Sequence, residues 1–238
     1  AALCAALALS APARAAAPAA PRGPADRAAV GRLLFLEGCA SCHGADARGM
    51  PGRAPSLQGA GAGAADFYLT TGRMPLDAPG DPPLRTRPAY GPDDIAAIVA
   101  YVGSLGGPPI PDPHPERGSL REGLQAFTEH CAGCHQVAAR GGIVTGAAAP
   151  ALDEATPVQI AEAVRTGPYL MPVFPPAVIG ERELDSIIRY IELTRDPDNR
   201  GGAGIGNVGP IPEGMVAWLV AGVALLIVAR LIGERTPS

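Results

Sequence analysis

The sequence predicts an all-α protein, with two small helical domains in tandem followed by a single C-terminal transmembrane helix. Three observations predict this. The middle of the chain repeats itself. Each copy closes with an amphipathic helix, Ile95, Ile98, Val99 and Val102 in the first and Leu184, Ile187, Ile188 and Ile191 in the second. Met215 to Ile232 is apolar except for Arg230.

The chain has 238 residues and a net charge of −4, without a basic face of the kind that binds nucleic acid. Its 19 basic residues are all arginine, so no docking surface can be a ring of lysines. Aromatic residues make up only 4%, and a core of Ala, Leu, Ile and Val with so few rings is thin; a large embedded cofactor would supply the missing apolar bulk. Residues 1–27 read as a leader. Residues 1–9 resemble the tail of a signal segment, with Cys4 a small apolar residue within it and Ala13-Arg14-Ala15 a candidate cleavage site. An uncleaved N-terminal anchor is the competing reading. Domain 1 is expected over 28–106, a proline-rich spacer over 107–116, domain 2 over 117–196 and a Gly/Pro-rich linker over 197–213.

Both copies open with the same pentapeptide pattern, Cys39-Ala40-Ser41-Cys42-His43 and Cys131-Ala132-Gly133-Cys134-His135. Each continues through Ala-Pro-x-Leu, at Ala54–Leu57 and Ala149–Leu152, and then to Thr-Gly and Met-Pro, at Thr71–Pro75 and Thr166–Pro172. A transmembrane helix is expected over 214–233 and a short tail over 234–238. The eighteen residues of Met215–Ile232 at helical rise span about 27 Å, close to the hydrocarbon thickness. Arg230 and Arg235 follow the span and Glu213 precedes it, which puts the C-terminus in the cytoplasm and both domains on the extracytoplasmic side of the cell membrane.

C-x-x-C-H is the attachment sequence of c-type haem. Two thiols form thioethers with the porphyrin, and the adjacent histidine lies beneath the iron. Cys39, Cys42 and His43 would hold one haem c, and Cys131, Cys134 and His135 a second. A zinc site requires a closed tetrahedron and leaves the repeated methionines unexplained. A thioredoxin-like site requires one C-x-x-C in a βαβ context, and none is evident. Met74 and Met171 occupy equivalent positions before proline and are the expected sixth ligands; Met50 lies too soon after His43, and Met215 belongs to the span. His/Met ligation closes both axial positions and favours electron transfer over chemistry at an open iron. The carbonyls of Pro55 and Pro150 are expected to accept the Nδ1 protons of the histidines. His114 and His130 are not expected as ligands. Arg73 and Arg165 read as solvated surface residues, with haem propionates as the alternative partners.

From pentapeptide to closing helix, each copy resembles a class I cytochrome c domain, over roughly residues 28–196. The whole arrangement resembles the cytochrome cc subunit of actinobacterial cytochrome bcc complexes. That likeness extends to Gly204–Trp218, the run into the membrane helix, and to Gly167–Phe174, the second methionine loop. The resemblance implies a subunit of a quinol–cytochrome c reductase, with the cytochrome b and Rieske iron–sulfur subunits as partners. It implies electrons taken from the Rieske protein and passed to the copper centre of the terminal cytochrome c oxidase. A free-standing membrane-anchored shuttle between a periplasmic dehydrogenase and an oxidase, a dihaem peroxidase and a haem sensor are the alternatives. The cysteine assignment predicts that Cys131→Ala abolishes covalent attachment in the second copy; haem staining on a denaturing gel should fall to the signal of one haem, and a band of full intensity would refute it.

Overall fold

The computed structural model describes residues 23–197 and 210–234. Cys4, the Ala13-Arg14-Ala15 site, most of the 197–213 linker and Arg235 lie outside the described residues. Along the chain run α1 (Pro24–Gly38), α2 (Ala40–His43), α3 (Gly61–Thr70), α4 (Pro92–Ser104), a 3-10 turn (Pro115–Arg117), α5 (Leu120–His130), α6 (Ala132–His135), strands β1 (Gly142–Val144) and β2 (Ala147–Ala149), α7 (Pro157–Thr166), α8 (Glu181–Arg195) and α9 (Pro210–Gly233). Two compact units result. Among the described residues, the first joins 23–112 with Val158–Val178, and the second joins Pro113–Pro157 with those from Ile179 onward.

Helix starts follow local chemistry. Proline opens α1 and α4 in the first turn, where its missing N–H costs nothing, and Asp93 and Asp94 meet the positive end of α4. Ser119 caps α5 by accepting from the Glu122 N–H at 3.4 Å. Glu181 and Glu183 open α8, and Arg195 sits in its last turn.

In the first unit α1 crosses α4 in direct backbone contact. A Cβ on Gly31 would lie 1.8 Å from the Ala97 carbonyl oxygen, so only glycine permits this approach. Phe35 is fully buried beside the crossing, its ring 5.2 Å from that of Tyr101. Ile95, Ile98, Val99 and Val102 complete the α4 side of this core. The second unit repeats the arrangement with α5 and α8. A Cβ on Gly123 would lie 2.0 Å from the Ser186 carbonyl oxygen, and the Phe127 and Tyr190 rings are 5.3 Å apart. Leu184, Ile187, Ile188 and Ile191 are buried there, as their spacing predicts. The buried Ser186 hydroxyl accepts from the Ser119 N–H at 3.0 Å and donates to the Arg182 carbonyl at 2.9 Å.

The fold is mostly helical, as expected, with one addition. β1 and β2 pair antiparallel, Gly142 opposite Ala149 and Val144 opposite Ala147. Ile143, Val144 and Thr145 favour extended backbone, and Gly146 at φ 84° closes the two-residue turn. His114 is half-buried: its N–H donates to Asp185 at 2.7 Å and its ring pairs with Glu116 at 3.1 Å. Within α9, Gly214–Gly233 is long and apolar enough to cross a membrane, with mean hydropathy 2.5 and none of it buried against protein. The two glycine crossings make a direct prediction. Gly123→Ala should force α5 from α8 and cost about 2–3 kcal/mol or more, read as a lower urea midpoint; an unchanged midpoint would contradict the backbone contact.

Candidate functional site

Each pentapeptide sits where a long helix ends and a single tight helical turn begins. The Cys39 N–H bonds the Phe35 carbonyl at 2.8 Å, closing α1, and the His43 N–H bonds the Cys39 carbonyl at 3.0 Å, forming α2. Cys131 and His135 repeat this at 2.8 and 2.9 Å. The turn gathers two thiols and one imidazole onto a short stretch in each unit. All four cysteines are free thiols, half-buried except for the exposed Cys134.

The histidines are oriented by carbonyls supplied 12 and 15 residues later. His43 Nδ1 lies 2.9 Å from the Pro55 carbonyl oxygen and His135 Nδ1 lies 3.0 Å from that of Pro150. Both bonds are as the sequence predicts. Each requires Nδ1 to carry the proton, so Nε2 is left with the lone pair that ligates a metal. Burial lowers the His135 pKa, against the opposing effect of the Pro150 bond, and so favours the neutral, metal-binding ring. The return loops are built alike. The Gly49 N–H reaches the His43 carbonyl at 2.8 Å and the Gly141 N–H reaches that of His135 at 3.0 Å. The Leu57 and Leu152 N–H groups each bond an alanine carbonyl, Ala47 and Ala139, at 2.9 Å.

The thiols do not suit redox exchange. Burial, with a smaller contribution from Cys42, raises the Cys39 pKa, and burial with Cys134 pushes Cys131 up to about 12. Dithiol oxidoreductases lower this value to expose a thiolate. Among the described residues no three His, Cys, Asp or Glu side chains form a metal cluster. Apolar side chains near the pentapeptides stay open to solvent, Leu33 in the first unit and Leu124 and Val137 in the second. Neutral thiols, a histidine with a free Nε2 and uncovered apolar side chains fit a covalently attached haem.

Met74 is half-buried and packs, with Cys39 and Leu57, against the core cluster around Phe35. Met171 is also half-buried and lies on the 158–178 segment, which packs with the first unit.

A family model described as cytochrome c matches residues 28–106, and one described as cytochrome C oxidase, cbb3-type, subunit III matches residues 118–191. The cytochrome bc1 complex cytochrome c subunit of Corynebacterium diphtheriae is 36% identical over 225 residues, covering 87% of this chain and 80% of that protein. Its namesake in Mycobacterium tuberculosis is 37% identical over 217 residues, covering 87% and 78%. The chain belongs to the family of cytochrome bc1 complex cytochrome c subunits. A cbb3-type cytochrome c oxidase subunit CcoP of an Azospirillum species is 33% identical over 142 residues, 53% of this chain and 46% of that protein. This cytochrome c subunit is therefore a haem c protein with an electron-transfer role, and its apolar α9 fits a single-pass membrane anchor.

Several residues that support the subunit's site escape a reading of the sequence alone. Gly31 and Gly123 each stand eight residues before a first cysteine, and Phe35 and Phe127 each stand four before it; the repeat offset was the signal that could have found them. Arg195 pins the loop after Pro150 by donating to the Leu152 and Ala155 carbonyls at 2.8 and 2.5 Å. Arg73 and Arg165 are half-buried and donate to backbone carbonyls, contrary to the solvated reading.

Glu162 on α7 is 1% exposed, and no protein N–H or O–H reaches either carboxyl oxygen among the described residues. Burial, then the charge of Asp66 on α3 and the hydrogen bond between the two carboxyls, raise its pKa to about 9. At neutral pH the raised value leaves Glu162 protonated beside the Asp66 carboxyl. A folded-state pKa above the unfolded value gives stability that is complete below the unfolded pKa and lost as pH rises through the folded one. Glu162→Gln, which has no proton to lose, should therefore raise the melting temperature by several degrees at about pH 8 and leave it nearly unchanged at about pH 4. Equal melting temperatures at both pH values would refute the buried proton.

Proposed function

We propose that this chain carries two covalent haem c groups and relays electrons from the Rieske iron–sulfur subunit of a cytochrome bc complex to the copper centre of a terminal cytochrome c oxidase. The matched pair of histidine-to-proline-carbonyl bonds, 2.9 and 3.0 Å, carries this reading, because it prepares the same metal-binding face of imidazole twice. Cys39 and Cys42 would attach one haem and Cys131 and Cys134 the other. His43 with Met74 and His135 with Met171 would be the axial pairs; the repeat pattern supports the second pairing. Bound haem supplies one-electron exchange at a potential raised by histidine–methionine ligation.

The chain's own residues orient, hold and exclude. Pro55 and Pro150 fix the ring planes of the histidines. The two cysteines of each turn prevent loss of the group. With a histidine and a methionine both holding the iron, no position would be left open to water, oxygen or peroxide, which argues against peroxidase chemistry. The names of the mycobacterial and corynebacterial relatives support membership of a cytochrome bc complex. The likeness to oxidase subunits supports an oxidase as the electron acceptor. α9 would anchor the chain in lipid, with both haem units outside and the C-terminus in the cytoplasm.

Met171→Ala should lower the potential of one haem and block electron flow without unfolding the chain; unchanged potentials would remove Met171 from the ligand set. The tagged chain, crosslinked in native membranes and then purified in mild detergent, should bring b- and a-type haem bands with its c-type band in reduced-minus-oxidised spectra. Recovery of c-type haem alone would favour the free-standing shuttle.

A further inference from the structure

We propose that Arg73 and Arg165 are positioning residues for the two methionine loops, each guanidinium acting as a strut that fixes the backbone carrying Met74 or Met171. The proposal rests on the ligand reading above.

A thioether is neutral and a weak ligand. It has no charge to draw it to a metal, so its bond depends on where the loop puts the sulfur. Sites of this kind need their first contacts held to about half an ångström by surrounding residues. The two loops are held by similar means. Arg73 Nη1 donates to the Pro83 carbonyl at 2.6 Å, and the guanidinium carbon lies 5.2 Å from the centre of the Phe67 ring. One strut thus ties the residue before Met74 to an irregular segment that returns nine positions after the methionine. That segment is fastened again at Thr86, whose N–H bonds the Thr71 carbonyl at 3.2 Å and whose hydroxyl donates to the Gly72 carbonyl. The Met74 N–H bonds the Tyr68 carbonyl at 3.2 Å.

In the second loop, Arg165 Nη1 donates to the Phe174 carbonyl at 2.9 Å, and the Phe174 N–H bonds the Val164 carbonyl at 2.9 Å. The loop is therefore closed at Phe174 by two bonds to adjacent residues of α7. Inside it, Tyr169 has φ 58°, a left-handed conformation that a tyrosine keeps only where its surroundings impose it. Gly167 has φ 62°, and a Cβ there would lie 2.6 Å from Val173 and 2.8 Å from the Met171 carbonyl oxygen. This strained, tightly folded loop depends on its closure, and the strut is part of that closure.

The arginines do not occupy equivalent repeat positions. Arg73 follows its Thr-Gly pair, whereas Arg165 precedes its own. Different registers supply the same kind of contact, a guanidinium on a backbone carbonyl downstream of the methionine. A charged donor on a neutral carbonyl in a partly buried setting is a strong and directional bond. Replacement by a neutral chain that cannot donate should loosen the sulfur without touching cysteine or histidine.

The test uses the full chain with its haem, in membranes. Arg73→Met, Arg165→Met and Arg165→Gln are compared with Met74→Ala and Met171→Ala. The readouts are the methionine-to-ferric-iron charge-transfer absorption and the midpoint potential of each haem, with covalent haem staining as the control for folding. Each Arg→Met variant should weaken the absorption of one haem and lower that haem's potential. Arg165→Gln, whose amide still donates, should lose less than Arg165→Met. Unchanged absorption and potentials in the arginine variants, while the methionine variants lose theirs, would overturn the proposal alone. A shifted potential with the absorption intact would also overturn it, by marking the arginine as a propionate partner. Methionine variants that change nothing would remove the ligand reading, and this proposal with it.

Discussion

Everything in each unit hangs on two helices meeting backbone to backbone. At Gly31 and at Gly123 the partner helix comes so close that no side chain fits between them. This approach brings Phe35 onto Tyr101 and Phe127 onto Tyr190. Those rings sit one helical turn ahead of the first cysteine, and the Cys39 and Cys131 N–H groups bond the phenylalanine carbonyls directly. The start of each attachment turn is therefore set by the packing of the residue before it. Thiols and imidazole inherit their placement from a glycine two turns away.

The rest of the site is a matter of return loops. Each pentapeptide delivers a histidine whose ring would be free to turn. The chain then travels 12 or 15 residues and comes back with a proline carbonyl that stops it. Loop length differs between the copies, and the hairpin of β1 and β2 lies within the longer one. The hydrogen-bond distances are nevertheless nearly equal. The orientation of the imidazole is what the two loops have in common, and the path taken to it varies.

The parts legible in the sequence are those carried by local pattern. The pentapeptides, the Met-Pro pairs, the apolar spacing of α4 and α8 and the apolar run of α9 each lie within one segment, and duplication shows them twice. The proline carbonyls were also within reach, since each belongs to a repeated Ala-Pro-x-Leu element. Less legible were features built from groups distant along the chain. Nothing local marks Glu162 as a partner of Asp66, and an isolated arginine gives no sign that its guanidinium will find a carbonyl at Pro83 or Phe174. Gly31 looks like any of the 31 glycines of an Ala/Gly/Pro-rich chain until its position before the cysteine is matched to that of Gly123. The hairpin leaves little trace in the sequence because three residues of extended preference are too short a run to stand out beside long helical ones.

The first unit is not continuous in sequence. It uses residues 23–112 and then Val158–Val178, with 45 residues of the second unit between them. During synthesis the early helices emerge first, but the surface of α3 that carries Asp66 waits for α7 before its carboxyl has a partner. A chain that grows from its N-terminus makes the helices of 23–112 before the Val158–Val178 segment that packs with them. A fragment cut after the first repeat would likewise lack α7 and leave Asp66 without Glu162. The boundary visible as a repeat and the boundary of the compact unit are different places on this chain.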